Sequence, residues 1–161
     1  MILRLFCFSL MVSALLISTG QAAGIACFNA EEGKIAQFRI LQQELNVAAL
    51  NCQTNDPSAP GFREGYNAFI ARFSGLLQDT AQPLKNHFSR VHGSLDVWTT
   101  KVANDASVRV FTDHDFCQKA WVNLGHALTL SPTEVQSFAQ GAIGVRAYLP
   151  ICAEKKKKGR L

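Results

Sequence analysis

Several of the patterns that assign a function to a sequence are missing from this 161-residue chain. It has no Gly-x-Ser-x-Gly nucleophile elbow, no phosphate-binding loop and no dinucleotide-binding fingerprint. It has no Cys-x-x-Cys pair, and its 4 histidines never lie three or four residues apart, which removes the common zinc, haem-attachment and helical metal-binding motifs. The sequence therefore identifies no catalytic residue, no cofactor and no metal site.

Long apolar runs are missing as well, except near the amino terminus. Arg4 precedes an apolar run over residues 5–17, and small and polar residues follow it up to Ala23. This order is that of a secretory signal peptide, and the run is shorter than the roughly 20 residues of a membrane-spanning helix. We therefore predict a signal peptide over residues 1–23, a mature chain without a transmembrane segment, and a periplasmic or secreted location.

Cysteine is scarce, and its positions become informative once export is assumed. Cys7 lies in the predicted signal peptide, and Cys27, Cys52, Cys117 and Cys152 remain. In an oxidising compartment four cysteines predict two disulfides, with three ways of pairing them. Residues 24–27 also resemble a lipoprotein box that lacks its usual leucine, so lipidation of Cys27 stays open as an alternative.

Positive charge is concentrated at the carboxyl end. The chain has 16 basic and 12 acidic residues, and Lys155–Lys158 lie close to its last position. A run of like charges repels itself and does not fold alone, so residues 153–161 are predicted to form a basic disordered tail. The Lys155–Lys158 run predicts weak contact with anionic surfaces. No aromatic residues interleave these lysines, and we expect no specific nucleic-acid binding.

The remaining residues, 24–152, show helical spacing in place of sustained strand alternation. Apolar residues recur at steps of three and four in successive segments, which places them on one face of a helix. Asn29 with Glu32, and Ser131 with Glu134, have the spacing of a helix N-cap and its box partner. We therefore predict an all-α domain, a compact bundle of about five helices braced by two disulfides.

Proline marks the breaks between the predicted helices. Residues 53–61 contain two prolines and are predicted to form a loop. Pro83 is expected to kink or restart the helix within residues 62–92, which we count as one kinked helix. A later helix is expected to open at Thr112, with Asp115 three residues on.

Helix geometry narrows the disulfide pairing. Cys27 and Cys52 bracket the first helix, so roughly 35 Å separates them at about 1.5 Å per residue, whereas bridged α-carbons lie within about 7 Å. If successive helices alternate in direction, Cys52 and Cys117 fall at the same end of the bundle. We therefore prefer Cys52–Cys117 with Cys27–Cys152. The pairing of Cys27 with Cys117 and of Cys52 with Cys152 stays open.

Four short sequence motifs of the chain carry a resemblance to other proteins. They are Ala48-Ala49-Leu50-Asn51-Cys52, Tyr66-Asn67-Ala68-Phe69, Ala103-Asn104-Asp105-Ala106-Ser107 and Phe116-Cys117. Together they resemble a loose group of small exported helical proteins from Gram-negative bacteria. The resemblance implies export and a helical fold, and it implies no activity. The lysine-rich tail is not part of this pattern.

One polar set lies beside the apolar face of a predicted helix. Thr100, Asn104 and Ser107 share a side at helical spacing, and Tyr66 and Asn67 on another helix could be their partners. If that side is buried, these groups need hydrogen-bond partners. We interpret the set as a structural polar network, with a small ligand site as the alternative.

Export, disulfides and the missing catalytic motifs favour a non-enzymatic protein that binds a partner or a component of the cell envelope. The alternative is a cell-envelope hydrolase whose site assembles from residues that are distant in the sequence. A deep polar cleft holding a histidine beside a serine or a carboxylate would favour the hydrolase, and a filled interior with shallow grooves would favour the binding protein.

Overall fold

The computed structural model describes residues 27–52, 61–144, 146 and 148–152. No β-strand occurs in these residues, which contain one isolated parallel bridge between Phe28 and Ile151. The all-α prediction is therefore confirmed. The predicted signal peptide, the loop over residues 53–60 and the basic tail lie outside the described residues. The described helices are α1 (Ala30–Asn51), α2 (Phe62–Arg72), α3 (Ser74–Arg90), α4 (Leu95–Thr112), α5 (Phe116–Ala127) and α6 (Pro132–Ile143).

Six helices are present in the described residues, where the sequence predicted about five, because the chain breaks at Phe73. Phe73 leaves helical geometry, with φ −106° and ψ 16°, and its buried ring packs 4.9 Å from the ring of Phe69. Of the two outcomes predicted at Pro83, the restart is wrong, since α3 runs through that residue, and the kink stays a prediction. Proline has no backbone N–H, so the carbonyl of Asp79 receives no hydrogen bond from residue 83. Because Asp79 is exposed, water can take the place of this donor and the helix can continue.

The helix starts follow the capping residues in two of the three predicted places. Asn29 with Glu32 opens α1 and Ser131 with Glu134 opens α6, each as a complete capping box. The predicted start at Thr112 is wrong. The Thr112 hydroxyl donates to the carbonyl of Val108 and closes the last turn of α4, so the next helix begins only after a short turn.

Helix α1 lies at the centre of the bundle and contacts each of the other five helices in the described part of the chain. Its residues Phe38, Leu41, Leu45 and Ala48 have no exposed surface. This is the apolar stripe that the three-four spacing predicted. Burial on more than one side explains why α1 is apolar around much of its circumference.

From α1 to α5, successive helices alternate in direction when α2 and α3 are counted as one segment. The segment of α2 and α3 runs opposite to α1, since Tyr66 contacts Gln42 and the later residue His87 contacts the earlier Glu32. Helix α5 runs alongside α2, with Trp121 against Phe62 and the carbonyl of Leu130 accepting from Arg72. In contrast, α4 runs in the direction of α1. Its Trp98 lies near Phe28 and its Arg109 near Glu44.

This alternation brings the cysteines together in the preferred pairs. The α-carbons of Cys52 and Cys117 are 5.5 Å apart, and those of Cys27 and Cys152 are 4.9 Å apart. Both distances suit a disulfide. The pairing of Cys52 with Cys117 and of Cys27 with Cys152 is therefore confirmed, and the alternative pairing is wrong. The second bridge ties the two ends of the described chain beside the Phe28–Ile151 contact.

Candidate functional site

A cavity of about 270 Å³ opens where α1, α4, α5 and α6 meet. We call it the charged cavity, because five ionisable side chains share its wall with apolar ones. The apolar part is contributed by Leu41, Leu45, Phe116, Ala120, Ala142 and Ile143. The polar part is contributed by Glu44, Arg109, Asp113, Lys119, Asn123 and Arg146.

Glu44 is the most deeply buried of these charges, with 9% of its side chain exposed. Its Oε1 atom accepts hydrogen bonds from Arg109 and, at 3.1 Å, from Nη2 of Arg146. A carboxylate removed from water is stable only when cations and hydrogen bonds compensate it. The two arginines provide that compensation, and they join α1 to α4 and to the segment after α6.

Arg109 is held from three sides. Its Nη2 atom donates to Glu44, its Nε atom donates to Asp105 at 2.9 Å, and its guanidinium lies 5.2 Å from the ring centroid of Phe116. Burial alone would lower the pKa of Arg109, but the Glu44 and Asp105 carboxylates outweigh burial and raise it. Arg109 is thus a fixed, permanent cation in the cavity wall.

Tyr148 extends the hydrogen-bond network of Glu44, Arg109 and Asp105. Its hydroxyl donates to Oδ2 of Asp105 at 3.3 Å, and its backbone carbonyl accepts from Nε1 of Trp98 at 3.0 Å. Burial, together with the negative charges of Asp105 and Glu44, raises the pKa of Tyr148 to about 12. The tyrosine is therefore a neutral hydrogen-bond donor throughout the physiological range.

A second ion pair lies at the more exposed side of the charged cavity. Nζ of Lys119 lies 3.2 Å from each carboxylate oxygen of Asp113. The hydrogen bond from Lys119, followed by one from the backbone N–H of Asp115, lowers the pKa of Asp113. Asp113 therefore stays ionised at neutral pH, and Lys119 keeps a cation beside the opening.

The chemistry of the charged cavity favours binding. Its described lining residues include no hydroxyl, thiol or imidazole group that could act as a nucleophile or a general base. The hydrogen bond from Lys119 lowers the pKa of Asp113 and makes that carboxylate a weak base. Three cations and two carboxylates line the cavity, and Asp105 and Asp115, outside the lining, also pair with Arg109 and Lys119. These cations can donate hydrogen bonds to an anionic group, and the apolar residues offer surface to the rest of a ligand.

A second cavity of about 400 Å³ lies between α2 and α5. We call it the apolar groove, because Glu64 is the only charged residue among its described lining residues. Trp121 stands in its wall with its ring 5.3 Å from that of Phe62. The other lining residues are Gly65, Ala68, Leu124, Gly125 and Leu128.

A histidine does lie beside a carboxylate, but it is closed to a substrate. Nδ1 of His87 is 3.0 Å from Oε2 of Glu32, and the His87 ring stacks on Phe28 at 4.0 Å. His87 is 1% exposed and lines neither of the two described cavities. Burial tends to raise the pKa of Glu32, but hydrogen bonds from Arg90, the Asn29 backbone and His87 lower it overall. The cluster anchors the amino-terminal segment on α3.

The predicted polar set is not assembled into a network. Thr100 and Asn104 are exposed, because Trp98, Val102 and Ala106 occupy the buried face of α4. The condition on which the network interpretation depended, burial of that side, is therefore not met. Ser107 donates to the carbonyl of Ala103 within its own helix.

The intended partners on α2 are engaged elsewhere or exposed. The Tyr66 hydroxyl accepts from Nε2 of Gln42 on α1 at 2.7 Å, and Asn67 faces solvent. No hydrogen bond among the described residues joins Tyr66 or Asn67 to Thr100, Asn104 or Ser107. The alternative interpretation of this set, a ligand site, stays a prediction.

Sequence reasoning missed the residues of the charged cavity. One signal was available: Glu44 lies three residues after Leu41 and four before Ala48, on the apolar stripe of α1. A charged residue in that position has to be paired when the helix packs. Nothing in the sequence indicated that Arg109 and Arg146 would be its partners.

Known proteins supply no counterpart, since no family model, curated protein or solved structure matches this chain. In the described residues, no three His, Cys, Asp or Glu side chains form a group that could hold a metal ion. No helix of the described segments has the length and apolar character to cross a membrane.

Proposed function

We propose that this chain is an exported, non-enzymatic binding protein that holds a small anionic ligand in the charged cavity. The observation that carries the proposal is that Arg109, Lys119 and Arg146 line a wall together with apolar residues, while its described residues include no hydroxyl, thiol or imidazole group. The predicted signal peptide and the two disulfides support a periplasmic or secreted location. The ligand is then a soluble component of the envelope or of the surrounding medium.

The ligand class follows from the size and the donors of the charged cavity. A volume of about 270 Å³ lies just below the range of about 300–1,000 Å³ that holds drug-sized molecules. Arg109 uses Nε and Nη2 for carboxylates, which leaves the Nη1 donors for a ligand. A carboxylate or phosphate group would bind Arg109 and Lys119, and a short apolar body would contact Phe116 and Ile143.

The rival hydrolase hypothesis has less support. Its expected feature was a histidine beside a carboxylate or serine in a polar cleft. His87 and Glu32 form such a pair, but His87 is sealed by its stacking on Phe28. A substrate would reach this pair only after the amino-terminal segment had separated from α3.

The proposal can be tested by filling the charged cavity. Gly141 lines it, and a Cβ atom at this position would meet no atom within 4 Å. We expect Gly141→Leu to place an apolar side chain at the cavity, since its Cβ atom has room there. The measurement is the thermal midpoint of unfolding with acetate, succinate and inorganic phosphate. At a ligand concentration of one hundred times Kd, binding should stabilise the protein by about 2.7 kcal/mol.

Gly75 provides the matched control. It also lies in a helix, has nothing within 4 Å of an added Cβ atom, and lines neither described cavity. We expect at least one of the anions to raise the thermal midpoint of the native chain and of Gly75→Leu, and to leave Gly141→Leu unchanged. If no anion raises the midpoint, or if all three proteins respond equally, the proposed site is wrong.

A further inference from the structure

One face of α4 carries apolar side chains where a surface helix normally carries polar ones. Val97, Val108 and Phe111 are 69%, 59% and 81% exposed. With Asn104 they form a single line on the side opposite Trp98, Val102 and Ala106, since residues seven, four and three positions apart share a helix face. We call Val97, Asn104, Val108 and Phe111 the outer stripe. The charged cavity does not use it.

The outer stripe is arranged symmetrically about Asn104. Val97 lies seven residues before Asn104 and Phe111 seven after it, while Thr100 lies four before and Val108 four after. An interface across a two-fold axis joins the same surface of two copies, so each residue meets the counterpart that the axis assigns to it. With the axis at Asn104 and the helices antiparallel, Val97 meets Phe111 of the second copy, and Thr100 meets Val108.

Charge selects the antiparallel arrangement. Lys101 and Asp105 lie on the same flank of the outer stripe, and a two-fold axis across antiparallel helices brings equal flanks together. Asp105 of one copy then lies level with residue 103 of the other, two residues from its Lys101 and within reach of that long side chain. Lys101 is exposed and forms no ion pair with the described residues, and the Asp105 side chain is 40% exposed. Parallel helices would instead join opposite flanks, so that Lys101 of one copy would lie away from both Lys101 and Asp105 of the other.

We infer that a second copy of this chain packs antiparallel on the outer stripe of α4, with the two Asn104 side chains hydrogen-bonded at the axis. A polar residue within an apolar helix seam fixes the register of pairing at some cost in affinity. This assigns a role to Asn104 and Thr100 that burial within one chain does not supply. The inference does not depend on the proposed ligand, because the outer stripe and the charged cavity share no residue.

Sedimentation velocity of the disulfide-intact protein over a range of concentrations tests this inference. We expect a concentration-dependent monomer–dimer equilibrium that Phe111→Lys weakens at least about thirtyfold, because it removes an aromatic hot spot and places a charge against Val97 at both ends of the seam. Leu50→Lys is the matched control, since Leu50 is 71% exposed on α1 and lies outside the outer stripe. The far-ultraviolet circular dichroism of both variants should match that of the native chain. A protein that is monomeric at every concentration, or a dimer that Phe111→Lys and Leu50→Lys weaken equally, would overturn the inference.

Single cysteine variants test the direction of pairing. Residue 104 lies on the axis, so Asn104→Cys should form a disulfide between two copies under mild oxidation. Val97→Cys should not, because antiparallel pairing places the two copies of residue 97 at opposite ends of the seam. Crosslinking by Val97→Cys as fast as by Asn104→Cys would show parallel pairing and contradict the proposed interface.

Discussion

At the scale of single residues, Glu44 organises the candidate site. It is the charged group that brings Arg109 and Arg146 to one oxygen atom, although these residues are 65 and 102 positions away from it in sequence. Sequence spacing records neighbours within a helix and carries no information on such distant pairs. For this reason the cavity could not be predicted, while the capping boxes, which are local, could be.

Replacing Glu44 should destabilise the fold. Glu44→Gln leaves two partly buried arginines without their shared carboxylate. We expect the free energy of unfolding to fall by about 2–4 kcal/mol, close to the cost of breaking a buried ion pair. Urea denaturation measures this change.

Glu31→Gln is the control for that experiment. Glu31 pairs with Lys34 at 2.8 Å, but 78% of its side chain is exposed, so its loss should change stability by less than about 0.5 kcal/mol. Equal effects of the two substitutions would show that the Glu44 cluster is not a structural centre of the bundle.

The raised pKa of Tyr148 leads us to predict a loss of folding stability at high pH. Its folded pKa of about 12 exceeds the usual value of 10.0, so its stabilising contribution is complete below pH 10 and is lost as pH rises towards 12. A shift of this size corresponds to about 3 kcal/mol. The chain has only 2 tyrosines, Tyr66 and Tyr148, which makes phenolate absorbance a direct measurement.

The alkaline titration separates these two tyrosines. Burial also raises the pKa of Tyr66, so we expect fewer ionised tyrosines at pH 11 in the native protein than in urea. Tyr148→Phe should remove the transition at the highest pH, and Tyr66→Phe should retain it. Native tyrosines that both ionise near pH 10 would show that Tyr148 is not enclosed by the Asp105 and Glu44 charges.

At the scale of the helices, capping residues in the sequence predicted where α1 and α6 begin. Packing between distant residues determined the break between α2 and α3. Asn29 and Ser131 cap helices as predicted, because a cap depends on residues within one turn. The break at Phe73 depends on where its ring is buried against Phe38 and Phe69, which no local pattern reports. The polar network predicted on α4 is not formed for the same reason, since spacing shows which residues share a helix face and not which face is buried.

Two glycines in the apolar groove should respond oppositely to alanine. At Gly65 an added Cβ atom would lie 2.8 Å from Cδ2 of Leu124, a residue that is 2% exposed and has little room to move. At Gly125 it would meet nothing within 4 Å. We expect Gly65→Ala to cost about 1–2 kcal/mol through overpacking and Gly125→Ala to add up to about 1 kcal/mol through helix propensity. Thermal denaturation of both variants checks the signs. The same sign in both would contradict the close contact of α2 with α5.

At the scale of the whole molecule, the alternation of helices around α1 determines which cysteines meet. This was predictable from the sequence, because the helix count between two cysteines decides at which end of a bundle each one falls. The prediction succeeded although α2 and α3 are separate helices, since they continue in the same direction along α1.

Removing the Cys52–Cys117 bridge should destabilise the bundle substantially. The two cysteines are 65 residues apart, and opening a loop of that length costs about 4 kcal/mol in the chain-entropy description. The double variant Cys52→Ser and Cys117→Ser, compared with the native chain by urea denaturation, measures this cost. A loss below about 1 kcal/mol would mean that the bridge adds little to what the helix packing already provides.

The most direct test of the account is to locate bound anion by NMR. Succinate and inorganic phosphate would be titrated into isotope-labelled protein, and the backbone amides and the Arg109 Nε–H followed. We predict saturable shifts at Arg109, Lys119 and Gly141, which line the charged cavity, and none at Gly75. Shifts confined to other surfaces, or none up to high anion concentration, would contradict the claim that this cavity binds a small anion.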